Sequence, residues 1–403
     1  MTKTPRTPLR ILMLATDAHG GFGGIAQYNR DVLDALSAMD GVASVVVVPR
    51  LIDIGVPPTG VLPARATAPD LAPVPDAIAA LNLPPKVQYD LRGAAGRLAF
   101  IWTSLRQARG GGFDLIHCAH INLLPVATLV SRLTRAPLLL AIHGIDAWQP
   151  RGRLSAWLAG RAPALVVSVS AFTLRRFQVW TGTPDSCTAL VPNTIRADRY
   201  GLGPKRPDLL ARHGLHGKTV IMTFGRMAPG ERYKGFDEVI ASLPDLIRHR
   251  SDLVYLAAGD GPDCPRLQAK AQALGVADRV VFPGRIAEAD KADYYRLADA
   301  YVMPSYGEGF GIVILEALAC GIPVVASLAD GTQEAVRAGA LGLLVQPHDP
   351  HALQDAILQA IRQPKQIPAG LDYFSHDQFT RRLAAALDRA TGAVPAQPAQ
   401  RSA

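Results

Sequence analysis

The chain has 403 residues, more than a single hydrophobic core usually serves, so we expect two domains of roughly 200 residues each. Hydrophobic residues make up 49% of it and charged residues 19%, a balance that excludes general disorder. The formal net charge is +8, and all of the excess lies in residues 1–200, which hold 20 Lys and Arg, 12 Asp and no Glu. Residues 201–403 hold 22 charges of each sign.

The charge asymmetry predicts an acidic partner: an anionic membrane surface, a phosphorylated acceptor or nucleic acid. No helix-turn-helix, zinc-finger or RNA-binding signature accompanies the charge, which places nucleic acid last. The segments WTSLRQARGG and RGRLSAWLAGR mix Trp, Leu and Arg as interfacial helices do, which indicates peripheral contact with anionic lipid at the inner face of the cell membrane. A general bias of the proteome toward arginine, with the charges solvated on the surface, explains the positive charge equally well.

Cysteine spacing and apolar runs predict a cytoplasmic protein. The four cysteines lie far apart and form no close pair of the kind that metal or redox sites use, so buried thiols in a reducing compartment are expected. The first apolar run is only a few residues long before Asp17, too short for a signal peptide core or a membrane span. No later segment reaches the length of a transmembrane helix.

The first half reads as a doubly wound α/β domain, assigned to residues 1–200. The strand RILMLAT, the glycine loop HGGFGGIAQ, a helical pattern and the strand SVVVVPRL form an opening βαβ unit. Residues 56–85 are rich in Pro and Ala and predict a long surface excursion. Further strands are predicted at DLIHCAH, PLLLAIHG, ALVVSVS and TALVPN.

The pattern restarts in residues 201–375, which predict a second α/β domain and a cleft between the two. Its strands are predicted at TVIMTFGR, LVYLAAGD, RVVFPGR, AYVMPS and PVVAS, and its helices at 236–248, 266–274, 291–298 and 312–320. Residues 376–392 predict a helix that packs back toward the first domain. The tail from residue 393 predicts disorder.

The strongest local signal is SYGEGFGI followed by LEA, which places Glu308 and Glu316 eight residues apart. A strand runs here into a glycine turn and then a helix, so the backbone N–H groups of Gly309, Phe310 and Gly311 are predicted to point at one anion, such as a diphosphate. The alternative is that Glu308 stabilises the helix dipole and Glu316 is a solvated surface residue. Because Glu316 interrupts the apolar helix IVILEALA, it needs a polar partner, which favours function.

Two cations follow the predicted strand TVIMTFGR. Arg226 and Lys234 lie near the carboxyl end of a strand, where a guanidinium fork and an ammonium group suit phosphate oxygens and would stabilise a departing nucleoside diphosphate. Either residue alone would more often form a surface ion pair.

Three weaker signals lie in the first half. Gly23 and Gly24 end a glycine loop that lacks the spacing of a dinucleotide fingerprint, and His143 sits where a strand gives way to a loop. His117 and His120 resemble metal ligands in spacing, but no third ligand accompanies them, so no metal is expected.

Together these residues resemble glycosyltransferase family 4, whose members have the GT-B fold of two Rossmann-like doubly wound parallel-sheet domains facing a central cleft. The resemblance extends from HGGFGGIAQYNRDV to about Leu387, and the combination of GEGFG…E with GR…KG is highly specific. It implies that Arg226 and Lys234 bind the diphosphate of a UDP- or GDP-linked sugar, that Glu316 binds the ribose and that Glu308 binds the transferred sugar.

The resemblance also implies that Gly23 and Gly24 touch phosphates or the acceptor and that His143 lies beside the sugar. It implies a retaining transfer that needs no metal ion or other cofactor, by same-face attack of the acceptor hydroxyl with the leaving phosphate taking its proton. A hexose, mannose or glucose, and a polysaccharide, lipid-linked oligosaccharide or glycolipid acceptor are the expected substrates.

The chain departs from the family pattern at three places: Pro192-Asn193-Thr194 where Pro-Asn-Gly is common, Asp330-Gly331 where Gly-Gly is common, and the stretch MAPGERY before Lys234. The second could alter the sugar pocket.

Two alternatives remain, a GT-B enzyme such as a UDP-sugar 2-epimerase and an inactive sugar-nucleotide-binding protein. An epimerase would need additional acid and base carboxylates in the first half of the chain, which has no Glu. An inactive binding protein would be expected to lose Glu308, Arg226 or Lys234, and all three are present.

Overall fold

The structure, a computed structural model, describes residues 7–19, 23–52, 83–150 and 152–392. The chain divides into two compact units: an N-terminal unit of residues 1–192 with 376–403, and a C-terminal unit of residues 193–375. Most of the predicted surface excursion and all of the predicted disordered tail lie outside the described residues.

The N-terminal unit contains a seven-stranded sheet in which all neighbouring strands run parallel. Its strands read as near-continuous apolar runs because helices cover both faces of such a sheet. The spatial order is β3-β2-β1-β4-β5-β6-β7, so the order reverses between β1 and β4. The strands are β1 (Leu9–Ala15), β2 (Val42–Pro49), β3 (Val87–Tyr89), β4 (Leu115–Cys118), β5 (Leu138–Ile142), β6 (Leu165–Ser168) and β7 (Thr188–Leu190).

Among the residues that the structure describes, five helices connect these strands: α1 (Gly24–Ala38), α2 (Arg97–Gly110), α3 (Leu124–Thr134), α4 (Arg153–Ala159) and α5 (Ala171–Thr181). One hydrophobic core contains residues of the last four, namely Phe100 of α2, Val130 of α3, Leu158 of α4 and Phe177 of α5, together with Leu12 of β1. Helices α2 to α5 therefore cover the same face of the sheet, and their opposite sides face outward.

The C-terminal unit contains a six-stranded parallel sheet in the order β10-β9-β8-β11-β12-β13, which reverses between β8 and β11. The strands are β8 (Thr219–Phe224), β9 (Leu253–Ala258), β10 (Val280–Val281), β11 (Ala300–Val302), β12 (Val324–Ser327) and β13 (Leu343–Val345). The helices are α6 (Pro207–His213), α7 (Phe236–His249), α8 (Cys264–Ala273), α9 (Lys291–Leu297), α10 (Ile312–Ala319), α11 (Thr332–Ala335) and α12 (Pro350–Ala360).

The last helix, α13 (His376–Ala390), belongs to the N-terminal unit. It packs against α1, β5 and β6, and its Phe379 ring meets the Tyr28 ring edge-on at 5.5 Å. Among the helices that the structure describes, none has the length and apolar character needed to cross a membrane.

The prediction of two Rossmann-like, doubly wound parallel-sheet domains is confirmed. All eleven of the strand segments named from the sequence contain a strand. Strands β3 and β13, of three residues each, were not predicted. In open α/β sheets of this kind, ligands bind where the strand order reverses, outside the carboxyl ends of the strands.

Candidate active site

The site of the C-terminal unit is built where the strand order reverses, at the ends of β8 and β11. Two glycines let its loops approach closely. Gly235 has a φ of +88°, and a Cβ there would lie 2.7 Å from Cδ of Pro304, so the loop that carries Lys234 can lie against the end of β11 only with glycine. A Cβ on Gly331 would lie 2.0 Å from the Gly309 carbonyl oxygen.

Lys234 is largely buried, with 16% of its side chain exposed, and forms an ion pair with Glu308. The Glu231 carboxylate lies 3.9 Å from the same ammonium group. Burial acts to lower the pKa of Lys234, but the adjacent Glu308 carboxylate outweighs it, so the pKa is raised. The lysine therefore stays positively charged at physiological pH although it is buried.

Arg226 follows β8 and is mostly exposed, with 71% of its side chain accessible, and it pairs with Glu231. Glu231 therefore neighbours both of the cations that the sequence predicts to bind phosphate. Sequence reasoning missed this residue, since the stretch MAPGERY was noted only as a departure from the family pattern. Its position three residues before Lys234 was the available signal.

The loop of Glu308 is held by Asp330 and Gly331. The Glu308 N–H donates to Oδ2 of Asp330 at 2.9 Å, and the Gly331 N–H donates to the Glu308 carbonyl at 2.9 Å. Thr332 donates to the other Asp330 oxygen through its hydroxyl at 2.6 Å. Burial raises the pKa of Asp330, and the hydrogen bonds that its carboxylate accepts from Thr332 and Glu308 offset part of that rise. The Asp330-Gly331 departure thus has a structural role, because it fixes the backbone of Glu308.

Helix α10 begins at Ile312, and Gly311, which has a φ of +84°, caps it without a side-chain hydrogen bond. Phe310 is buried, and its ring meets Phe374 at 5.6 Å. Within the part of the chain that the structure describes, the N–H groups of Phe310 and Gly311 donate no hydrogen bond. Backbone donors beside a helix N-terminus favour an anion.

Glu316 lies on α10 and is buried, with 4% of the residue exposed, so the alternative of a solvated surface residue is wrong. Its carboxylate accepts hydrogen bonds from Lys291 at 3.0 Å and from the Tyr295 hydroxyl at 2.7 Å. Burial acts to lower the pKa of Lys291, but the Glu316 and Glu288 carboxylates outweigh it, so the pKa is raised. Burial and then Glu316 raise the pKa of Tyr295 well above its usual value.

Both glutamates lie around the end of β8. The Lys291 ammonium group that pairs with Glu316 is 5.4 Å from the centre of the Phe224 ring. On the other side, a Cβ on Gly225 would lie 3.2 Å from Cδ of Lys234, the partner of Glu308. The structure therefore brings four residues that the sequence singles out to one end of the sheet: Arg226, Lys234, Glu308 and Glu316.

In the N-terminal unit, His143 directly follows β5 and is buried, with 9% of it exposed. Its Nε2 lies 2.8 Å from the Ala119 carbonyl oxygen, which can only accept, so Nε2 carries a proton. In the neutral ring, Nδ1 then offers a lone pair to a donor such as a sugar hydroxyl. The Tyr28 ring packs edge-on against His143 at 5.2 Å and fixes its orientation.

His117 in β4 and His120 in the loop after it have different surroundings. His120 Nδ1 accepts a hydrogen bond from the Asn122 N–H at 3.1 Å, and burial followed by the His143 charge lowers the pKa of His117 to about 4. Among the described residues, no group of three or more His, Cys, Asp or Glu is placed to hold a metal ion.

The glycine loop of the N-terminal unit is described only at its end. Gly23 has a φ of +95° and caps α1, which begins at Gly24, whereas residues 20–22 lie outside the described residues. A Cβ on Gly23 would meet no atom within 4 Å. Both glycines belong to a different unit from Glu308, as does His143.

Comparisons with known proteins identify the family and the relatives of this chain. The model of the family described as Glycosyltransferase Family 4 matches residues 22–199, and that of Glycosyl transferases group 1 matches residues 218–363. The D-inositol 3-phosphate glycosyltransferase 1 of Catenulispora acidiphila is 30% identical over 333 residues, which cover 76% of this chain and 78% of the relative. The GDP-mannose-dependent alpha-(1-6)-phosphatidylinositol monomannoside mannosyltransferase of Mycolicibacterium smegmatis is 32% identical over 252 residues. That match covers 60% of this chain and 65% of the relative.

Solved structures show the same fold. HepE of Anabaena, in complex with UDP and glucose, superposes with a TM-score of 0.72 at 22% identity, covering 94% of this chain and 99% of that one. The sucrose-phosphate synthase of Thermosynechococcus elongatus superposes with a TM-score of 0.71 at 21% identity, covering 96% and 100%. From its two matching family models and from a relative aligned over more than three quarters of its own length, the chain belongs to glycosyltransferase family 4.

Proposed function

We propose that this protein transfers a hexose, mannose or glucose, from a UDP- or GDP-linked donor to a glycan or lipid-linked acceptor, with retention of anomeric configuration and without a metal ion. The observation that carries the proposal is the buried, charged Lys234 at the end of β8, paired with Glu308. A buried cation where the strand order reverses is suited to an anionic ligand.

Three kinds of donor group would hold the diphosphate. Lys234 supplies a point charge, Arg226 has an exposed guanidinium that can exchange Glu231 for a ligand, and the N–H groups of Phe310 and Gly311 supply neutral donors at a helix start. Each of them favours the diphosphate more as it gains charge on leaving the sugar. They would therefore stabilise the transition state without the Lewis acid that a metal ion supplies.

The two glutamates would hold the parts of the donor that carry hydroxyls. Glu316 accepts one hydrogen bond at each oxygen from Lys291 and Tyr295, and a carboxylate has further lone pairs for the two ribose hydroxyls. Glu308, beside Lys234, would accept from hydroxyls of the transferred sugar. Retention would follow from attack of the acceptor hydroxyl on the face that the diphosphate leaves, with a phosphate oxygen taking the proton.

A glycolipid or other phosphate-bearing acceptor is supported by the relatives and by the charge. The relatives are named for phosphatidylinositol monomannoside and D-inositol 3-phosphate. The N-terminal 200 residues of this chain carry an excess of eight positive charges, which would attract such an acceptor and the inner face of an anionic membrane. We place the protein in the cytoplasm, peripheral to that membrane face.

The test is a panel of UDP- and GDP-linked hexoses, each incubated with purified protein and a chelator, with and without phosphatidylinositol or inositol phosphate. We expect release of one nucleotide to depend on one donor and to rise with acceptor, and the product to show the donor's anomeric configuration by NMR. Release that needs a divalent cation would overturn metal independence. Inversion of the anomeric configuration would contradict the proposed retaining mechanism. Formation of an epimerised nucleotide sugar would contradict the proposed transfer reaction.

A further inference from the structure

We propose that the outer sides of α2, α3 and α4 form one continuous lipid-binding surface that seats the N-terminal unit on an anionic bilayer. This α2–α4 surface is defined by six exposed apolar side chains: Leu98, Trp102, Leu129, Leu133, Leu154 and Trp157. The inference builds on the proposed membrane location and names the part of the chain that makes the contact.

Helix α2 presents a stripe of large side chains to solvent. Leu98 and Trp102 are one turn apart and are 82% and 64% exposed, while Phe100 and Ala108 on the opposite side lie in the core. A core helix normally exposes polar residues on its outer side. The exposed leucine and tryptophan therefore have no role in the packing of this unit.

Helix α3 lies between α2 and α4 and continues the surface. It packs against both neighbours, and its Leu129 and Leu133, again one turn apart, are 45% and 51% exposed. On α4, Leu154 and Trp157 are 68% and 47% exposed. The sequence indicated α2 and α4 as separate interfacial segments; the structure adds α3, which joins them into one patch.

The positive charge of the α2–α4 surface indicates an anionic partner. From Arg97 to Arg161 the chain carries eight arginines, no lysine or glutamate and only two aspartates. Asp146 is buried, and the Asp114 carboxylate accepts a hydrogen bond from the Arg10 N–H. Neither aspartate neutralises the outer sides of the helices.

Several of these arginines are available to a ligand. Within the described part of the chain, no carboxylate lies within 4 Å of Arg97, Arg132 or Arg153. Arg161 lies over the ring of Trp157 at 5.8 Å, and Arg106 is 3.5 Å from Asp90. Guanidinium groups bind phosphate with two parallel hydrogen bonds, so exposed arginines between exposed Trp and Leu match a layer of anionic headgroups over acyl chains.

A second copy of the chain is a poorer fit to this surface. A two-fold dimer would place the same arginines opposite each other, and the repulsion would oppose association. A protein partner would need a large acidic patch with an apolar centre. An anionic bilayer supplies both features over its whole surface.

The experiment compares two double variants of the full chain in vesicle flotation. Leu98→Glu/Leu154→Glu places charge in the α2–α4 surface, and Leu274→Glu/Ile367→Glu changes two residues of the C-terminal unit that are 40% and 45% exposed. All four positions are exposed, so neither pair should unfold the protein, and equal thermal melting of the two variants checks this. Vesicles of phosphatidylcholine with and without phosphatidylglycerol are used at low and high salt.

We expect wild type and the control variant to float with phosphatidylglycerol vesicles at low salt, less at high salt and hardly with phosphatidylcholine alone. Flotation of Leu98→Glu/Leu154→Glu should fall about tenfold or more. Equal flotation of both variants would overturn this surface while leaving a membrane location standing. No flotation of wild type would overturn the membrane contact altogether, and a dimer that only the α2–α4 variant loses would assign the surface to a second copy. Nucleotide release, measured without vesicles, tests the transfer reaction separately.

Discussion

The two units share one topology and differ in what stands where the strand order reverses. At that point the C-terminal unit carries lysines paired with glutamates: Lys234 with Glu308 and Lys291 with Glu316. The N-terminal unit carries imidazoles instead, with His120 after β4 and His143 after β5. The same arrangement of strands therefore carries lysine–glutamate ion pairs in one unit and histidine side chains in the other.

This difference teaches that the fold gives the position of a site and the loops give its chemistry. Compensated ion pairs can rearrange around an incoming diphosphate, because the cations are already present and charged. Imidazoles held by carbonyl and N–H groups are placed to orient hydroxyl groups. The predictions below test this division of labour.

The largest effect on activity is expected from Lys234→Ala. Removing the buried cation should lower kcat about a hundredfold, about 2.7 kcal/mol, because a charged contact to the leaving diphosphate is lost. The measurement is steady-state turnover with the donor that the panel identifies. Lys270→Ala is the matched control, since Lys270 pairs with Asp237 at 2.9 Å elsewhere in the same unit. Similar kinetics for both variants would remove the distinction between the site lysine and a structural one.

The next effect sharpens the other side of the comparison and concerns stability. His117 has a pKa of about 4 in the folded protein against 6.5 when unfolded, so the unfolded chain binds more protons below pH 6.5. This residue should cost the fold up to about 3 kcal/mol as pH falls from 6.5 to 4. Denaturant unfolding of wild type and His117→Gln across that range measures the difference.

The control for this experiment is His213→Gln in the C-terminal unit. The pKa of His213 is also lowered, by burial and then by Arg212, but this histidine is only partly buried. Its pH-dependent contribution should therefore be smaller. If His117→Gln loses stability with falling pH as steeply as wild type does, the imidazole of β4 is not held neutral.

Sequence patterns predicted the strands, helices and candidate glutamates because these depend on local periodicity and spacing. The need of Glu316 for a polar partner was also visible, since it interrupts an apolar helix. Its partners were not, because Lys291 and Tyr295 lie on another helix 25 and 21 residues away and only tertiary packing brings them together. The pairing of Glu231 with Arg226, only five residues apart, was missed because the chain is kinked at Glu231 and has no regular spacing there.

Substitutions of the two glutamates should change different kinetic constants. Glu308→Gln should lower kcat about tenfold with little change in KM, because the transferred sugar gains positive charge in the transition state. Glu316→Gln should raise KM for the donor about tenfold, because the ribose changes little during reaction.

Removal of the Glu316 charge alone leaves the largely buried Lys291 with only the exposed Glu288 as a carboxylate partner, which is destabilising. Glu316→Gln/Lys291→Met is therefore the companion variant: it should recover thermal stability and keep the raised KM. A donor KM that returns to normal in the double variant would show that Glu316 acts through packing alone.

The smallest effect is expected from Glu231→Gln. This carboxylate neighbours both of the cations proposed to bind phosphate, so its removal should tighten binding of UDP or GDP by less than tenfold. Calorimetric titration measures the change, which is opposite in sign to that of the lysine variant. Weaker binding would mean that Glu231 positions Arg226 for the ligand instead of competing with it.

The most direct test is a crystal structure of the protein with UDP or GDP, grown in the presence of a chelator. We predict a diphosphate at the end of β8, within hydrogen-bond distance of Lys234 and of the Phe310 and Gly311 N–H groups, with the ribose on Glu316. A diphosphate held instead by His120 and His143, or a nucleotide that binds only with a metal ion, would contradict the assignment of the charged site to the donor.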